Sequence, residues 1–517
     1  MSLFMGQLYP KRALGFLALG ASLHDVLTRL KAEPTRFPQL ELMYSRESPV
    51  QEPVTVNLPA NGIRLRFDGA QQRLRLIEVL DFTRNHITFN DRDLVRPVSV
   101  APAAGETTGS GGPSFKHIYH KLLGPTYAGE YIPPNGDNES DVGVYVLSYP
   151  GVAFTFKLPA SIYSPDKDVV SLLSAVPNQT ATSMAVFDGP SWAEARATLW
   201  TAVLPSIKSN PAIPRNKDVP ADEISLVRIH GGGKLQLFRK WTNSSIWIHL
   251  GETTPQELVI ELGPPNAIYR KNDKRMTIHN LRNPGGGADG GEAGRTDDLT
   301  DTDQSSLMTG SEDTNDEDAV EEEAVGHVSG ECFYNYFYLG FDILVSTPTH
   351  PSRCPPGYNS DGTIPERRFA STSPDRLVAT KLVLHGNIPG SYEFNRHRRC
   401  CWDIAYLEDP TSKKHPPNSE TKFSQIEESL NEHWKSLYPP GEGEGRQRGM
   451  VLNRGWGDSP GSSCELLGGW EDSSATAAAN LPKGADGSED STTTLYGFPG
   501  LVFEVLRNGY VNTVTVF

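Results

Sequence analysis

The sequence predicts an α+β protein of antiparallel sheets with short helices laid on them. Three observations carry this. Amphipathic helical stretches, each opened by a capping residue, alternate with short strands. The best-defined strand, Gly62-Ile-Arg-Leu-Arg-Phe67, alternates apolar and polar residues, whereas a doubly wound parallel sheet reads as continuous apolar runs. Glycine (48) and proline (40) make about 17% of the 517 residues, against roughly 12% in average chains, so polar loops separate the folded parts. At roughly 100–200 residues per domain, the length suggests two to four domains.

The first helix opens at Ser22. Asp25 stands three residues on, as in a capping box with Asp for Glu or Gln, and Leu23, Val26, Leu27 and Leu30 share one face. Gly62–Asp68 and Leu74–Val79 follow as a hairpin. The second helix opens at Ser114, with Phe115, Ile118, Leu122 and Leu123 as its stripe, and Gly124-Pro125 ends it. Val142–Leu147 and Gly151–Phe156 are its strands. Ile224–Ile229 and Leu235–Trp241 flank Gly231-Gly-Gly233 as a hairpin. The third helix has the strongest signal: Thr254 as cap, Pro255 in the first turn, Glu257 three past the cap, then Leu258, Ile260 and Leu262. Tyr336–Val345 and Leu377–Leu384 follow as strands. A fourth helix opens at Ser424-Gln-Ile-Glu427, another capping box, with Ile426 and Leu430 inward. Gly500–Val505 and Tyr510–Val516 close the chain around Arg507-Asn508-Gly509, a turn in which Asn-Gly takes the required positive φ.

The expected organisation is therefore four units of a capped helix on antiparallel sheet, at 11–100, 113–220, 221–407 and 408–517. Units three and four carry low-complexity insertions at about 284–330 and 440–493, with further loops at 347–373 and 409–419. The two insertions are too poor in apolar residues to offset the entropy of ordering and are expected to be disordered.

The net charge is −15, yet Ala288–Val325 alone holds fourteen acids against one base, which leaves the remainder at −2. Neither part has the basic footprint that nucleic acid requires. The acidic run is a solubilising loop or a lure for basic partners. No sustained heptad, collagen period or apolar run near 20 residues occurs. Lys11-Arg12 before Ala13–Ser22 mimics a secretory signal, but a buried strand running into the first helix is the favoured reading. Five cysteines without a C-x-x-C point to a reducing compartment, and no ligand spacing suits zinc.

No catalytic motif is present, and no catalytic residue, metal ligand or cofactor is assigned. Gly231-Gly-Gly-Lys234 resembles a phosphate loop only superficially, because Leu235 and a strand follow where Ser or Thr and a helix are needed. His117 and His120 are read as a solvated helix face. The densest basic cluster is Arg396-His397-Arg398-Arg399. Four such groups suit anionic lipid head groups, at about 1 kcal/mol for each Lys or Arg near the surface. The alternatives are a solvated strand face and a partner for the acidic insert.

The stretches Cys332–Leu344, Lys381–His385 and Asn387–Asn395, continuing through Arg399-Cys400, resemble the phagosome assembly factor family. So do Leu19-Gly20 with the first helix, Tyr44–Pro49, Gly62–Asp68, Arg73–Val79, Gly263–Asn266 and Lys274–His279. The insertions are longer than that family's usual loops. The resemblance implies a soluble, non-enzymatic autophagy regulator. It implies an adaptor that acts with a WD40-type β-propeller and is recruited from the cytoplasm to the phagophore assembly site, where the propeller is implicated in phosphoinositide contact. It offers no catalytic residue to carry over. A rival reading is direct phosphoinositide binding through Arg396–Arg399. The helix-then-strands unit also looks like small modules of bacterial outer-membrane assembly lipoproteins, an analogy of fold alone.

Overall fold

The computed structural model describes residues 4–95, 111–134, 142–176, 179–204, 222–242, 244–270, 331–348, 376–408, 415–435, 449–453 and 492–517. It is α+β, and strands predominate. The acidic insert at 284–330 and nearly all of the loop at 347–373 lie outside the described residues, as do 409–414 and most of 440–493.

The N-terminal lobe begins with β1 (Phe4–Tyr9), β2 (Ala13–Leu14) and β3 (Leu17–Ala18). The apolar run after Lys11-Arg12 is thus strand, and Ala13, Leu14, Leu17 and Ala18 are buried. Helix α1 (Leu23–Ala32) starts where the sequence places it: the Asp25 amide donates to Ser22 Oγ at 3.1 Å. Leu23, Val26, Leu27 and Leu30 are buried in the lobe's core, each contributing roughly 1.5–3 kcal/mol. Strands β4 (Glu41–Met43), β5 (Val54–Leu58), β6 (Ile63–Phe67) and β7 (Leu74–Val79) form a meander, followed by β8 (Asn85–Phe89) and β9 (Arg92–Asp93). The alternation in β6 is real: Ile63, Leu65 and Phe67 face the core, while Arg66 turns out to Glu78 at 3.0 Å.

Helix α2 (Phe115–His117) is capped by Ser114 and widens at once into a π turn over Ile118–Leu122. The wider winding shifts the predicted stripe, so Phe115 and Ile118 are buried but Leu122 is only half-buried. A second meander follows as β10 (Glu130–Ile132), β11 (Val142–Tyr149), β12 (Val152–Pro159) and, after α3 (Val169–Ser174), β13 (Ala181–Val186); α4 (Trp192–Thr198) closes the lobe. The two meanders are one eight-stranded sheet, order β10-β11-β12-β13-β7-β6-β5-β4. They join through antiparallel β13 and β7, with Met184 opposite Val79.

The C-terminal lobe is built on a four-stranded and a second eight-stranded sheet. Strands β14 (Ile224–Ile229), β15 (Lys234–Arg239) and β16 (Ser245–His249) form an antiparallel hairpin set, turned at Gly231, Gly232 and Gly233, all at positive φ. Helix α5 (Pro255–Leu262) carries the full capping box of Thr254 and Glu257. Then come β17 (Ala267–Arg270), β18 (Cys332–Tyr336), β19 (Phe341–Ser346), β20 (Val378–His385) and β21 (Trp402–Ile404). Strand β21 adds to β14 in parallel. Helix α6 (Phe423–Trp434) precedes β22 (Met450–Asn453), β23 (Thr492–Phe498), β24 (Leu501–Leu506) and β25 (Val511–Val516). The large sheet runs β17-β18-β19-β20-β25-β24-β23-β22, joined in the middle by β20 and β25.

Two expectations fail here. Helix α6 begins two residues early, at Phe423, with Lys422 and not Ser424 at the cap position. Buried Phe423 sets the start: its amide donates to Gly509 O at 2.8 Å and its ring lies 4.4 Å from that of Tyr496. Tertiary packing outweighs a local cap of about 1 kcal/mol. Within the insertion at 440–493, Met450–Asn453 is a strand rather than disordered chain, because β23 offers it a hydrogen-bonding edge.

Candidate functional site

The predicted basic cluster lies in the segment that follows β20, residues 386–401, and this segment joins the two lobes. Its sequence is rich in Asn, Pro, Gly and Ser and cannot continue a strand. A buried loop must still satisfy its backbone. Asn387 does much of this from the left-handed region, at φ 47. Its Oδ1 accepts from the Asn395 amide at 2.7 Å, and its Nδ2 donates to Gln72 Oε1 at 2.8 Å; Gln72 Nε2 donates back to Asn387 O at 2.6 Å. Glycine is required at Gly340, opposite: φ is +90, and a Cβ there would strike the Arg398 carbonyl oxygen.

Arg396, His397, Arg398 and Arg399 do not form a surface patch. Arg399 is 6% exposed. It donates to three carbonyl oxygens: Ala70 at 2.6 Å, Gly386 at 2.7 Å and Ser419 at 3.0 Å. Arg398 reaches Asp25 at 2.5 Å and Glu223 at 3.3 Å; Arg73 meets the same Glu223 at 2.8 Å. Burial would raise the Asp25 carboxyl, but the hydrogen bond with His24 and the Arg398 cation hold it at about 2. Arg396 is the most exposed of the four, 3.8 Å from Glu393. The physical reason is the junction itself. Carbonyls and carboxylates that two lobes bury together need donors, and guanidinium supplies several in one plane.

His397 is 2% exposed and belongs to a second group that no spacing in the sequence announces. Asp342 of β19 accepts from His385 Nε2 at 2.9 Å on one carboxylate oxygen and from His397 Nε2 at 2.8 Å on the other. The imidazoles stack face to face, with centroids 3.7 Å apart and planes 8° from parallel. His385 Nδ1 lies 3.4 Å from Glu393, whereas His397 Nδ1 has no partner. This decides the charges. Burial opposes a cation at His385, but a carboxylate at each of its nitrogens raises it to about 9. Burial, then the neighbouring His385 cation, press His397 down to about 4. Asp342 is held far below the ordinary carboxylate range by the two imidazoles despite its burial.

Asp342, His385 and His397 are also a donor set that a transition metal uses. The rings do not fit one. Imidazole donates in its own plane, and an ion between two parallel rings 3.7 Å apart would sit about 1.8 Å out of each plane. The pair holds a proton instead. The sequence gives no hint of it: in Lys381-Leu-Val-Leu-His385 the inward positions are Leu382 and Leu384, and His385 falls with Lys381 and Val383 on the other face of the strand.

The remaining candidates are separate. His117 Nε2 donates to the Asp93 backbone oxygen at 2.9 Å, and His120 is exposed. Gly231–Lys234 is a strand-to-strand turn. An open groove beside β14 and β15 is lined by Ser225, Arg228, Phe238 and Arg239, but both arginines are paired, with Asp403 at 3.1 Å and Glu261 at 3.2 Å. Among the described residues no helix is long and apolar enough to cross a membrane.

Fold and site together define a two-lobed, sheet-rich scaffold whose densest polar group serves cohesion between lobes. The chain belongs to the phagosome assembly factor 1 (PHAF1) family, whose model matches residues 14–286 and 372–517. It is similar to a PHAF1 protein of Arabidopsis thaliana, 21% identical over 99% of this chain and 92% of the relative. A PHAF1 protein of Drosophila melanogaster is 21% identical over 99% and 93%, and one of Caenorhabditis elegans 22% over 79% and 78%. No solved structure matches.

Proposed function

We propose that this chain is a non-enzymatic adaptor of autophagy that binds a WD40-type β-propeller and is recruited with it from the cytoplasm to the phagophore assembly site. The observation that carries the reading is the family match across both lobes, to a family described as phagosome assembly factor. The architecture suits docking: two broad sheets, a rigid polar junction and no open polar cleft at the buried histidines. The recurrence of a short helix before each four-stranded meander supports reading the chain as repeated helix-sheet units, joined edge to edge in pairs. Direct phosphoinositide contact through Arg396–Arg399 loses its physical basis, because Arg398 and Arg399 are engaged inside the junction. Affinity purification of the tagged chain from its own cells, fed and starved, tests the adaptor reading. Stoichiometric recovery of a propeller protein is expected. Recovery of the bait alone in both conditions overturns it.

A further inference from the structure

The stacked histidines sit where the lobes are clamped. His385 ends β20, and His397 directly precedes the two arginines that grip the N-terminal lobe. Arg398 holds Asp25 and Glu223, and Arg399 holds the Ala70 carbonyl. Cys401 packs against the same carbonyl, with its sulfur 3.8 Å away. Among the described residues, the charged or titratable groups that face His397 are Asp342 from β19, His385 from β20, and Glu393 and Arg396 from its own segment. The Phe337 ring covers another side at 4.9 Å.

We propose that this pair is an acid-sensitive latch: with one proton the junction is closed, and a second proton opens it. The geometry has a place for one imidazolium only. His385 meets a carboxylate at each nitrogen and carries the charge. A second proton has to enter at His397 Nδ1, which has no acceptor. It would also set two cations face to face at 3.7 Å. Burial denies water to both. His397 then leaves its pocket to be hydrated, and it draws Arg398 and Arg399 with it. The charge change is one proton taken from solvent, and no bond is made or broken. A neutral aromatic at position 397 keeps the stack and removes the acceptor of the second proton.

The test uses the full chain and the Cys401 thiol as reporter. The protein is labelled with a dithiodipyridine reagent, which reacts in acid, at intervals from pH 7.5 to 4.5, and Cys401 is read by peptide mass spectrometry. In the wild type the labelling rate is expected to rise at least tenfold across this range. In His397→Phe it stays flat. Protection of Cys401 down to pH 4.5 in the wild type overturns the proposal, as does an equal rise in both proteins. Site-resolved exchange of the histidine C2 hydrogen, measured on the wild type alone, guards against a variant that fails to fold. His397 is expected to titrate well below the ordinary imidazole value, and titration near 6.5 overturns the proposal.

Discussion

Replacing Arg399 removes the keystone of the junction. The residue is buried, and its guanidinium donates to the carbonyls of Ala70, Gly386 and Ser419 from three different stretches of chain. A hydrogen bond to a charged group contributes about 1.5–3 kcal/mol net, and a buried acceptor left bare costs about 1–3 kcal/mol. Arg399→Met keeps most of the stem's bulk and strands all three oxygens. Water entering the space recovers part of the loss, which leaves an expected destabilisation of about 3–5 kcal/mol. That is a factor of roughly one hundred to several thousand in the folding equilibrium. Arg399→Lys keeps the charge but not the planar fork, and it should recover less than half. Urea unfolding followed by tryptophan fluorescence measures both, since Trp402 is buried three residues away. A loss below about 1 kcal/mol for Met, or full rescue by Lys, would refute the argument that the three-way bond holds the lobes together.

Two further outcomes follow from the same structure. Leu27→Asp places an unpaired charge at a core position that is 2% exposed, and it should unfold the N-terminal lobe; an ordinary thermal melt would show that Leu27 is not core. His385 is raised above its unfolded value of 6.5 to about 9. Its contribution is therefore complete below pH 6.5 and is lost as pH climbs through 9. Melting temperature should fall across that window, and His385→Asn should flatten the fall; an unchanged slope in the variant would assign the alkaline loss to other groups.

Much of the local structure was legible because its causes are local. Ser22 and Thr254 cap helices with groups three residues on, and the alternation in Ile63–Phe67 follows from the two-residue period of a strand. Asn508-Gly509 turns the final hairpin for the same kind of reason: Gly509 takes φ 80 at no steric cost. Ser424 shows the limit. It satisfies the capping pattern as well as Thr254 does, yet Phe423, anchored by Tyr496 and Gly509, decides where the helix begins.

The candidate site was the least legible part. Arg396–Arg399 has the composition of a surface patch. Composition cannot tell whether a loop's cations meet solvent or a neighbouring lobe. Asp342 stands 43 residues from His385 and 55 from His397, so no spacing rule links them.

By itself the sequence determined the class of structure, the helix starts set by Ser22, Ser114 and Thr254, the hairpin turns and the family. Each rests on residues within a few positions of one another, or on a resemblance spread along the chain. Only the tertiary structure decided that paired meanders fuse into continuous sheets through β13 with β7 and β20 with β25. It alone turned the basic cluster inward and stacked two histidines on one carboxylate. Those outcomes depend on which buried carbonyls and carboxylates two lobes bring together, and a group removed from water takes the nearest partner in space, whatever its distance along the chain.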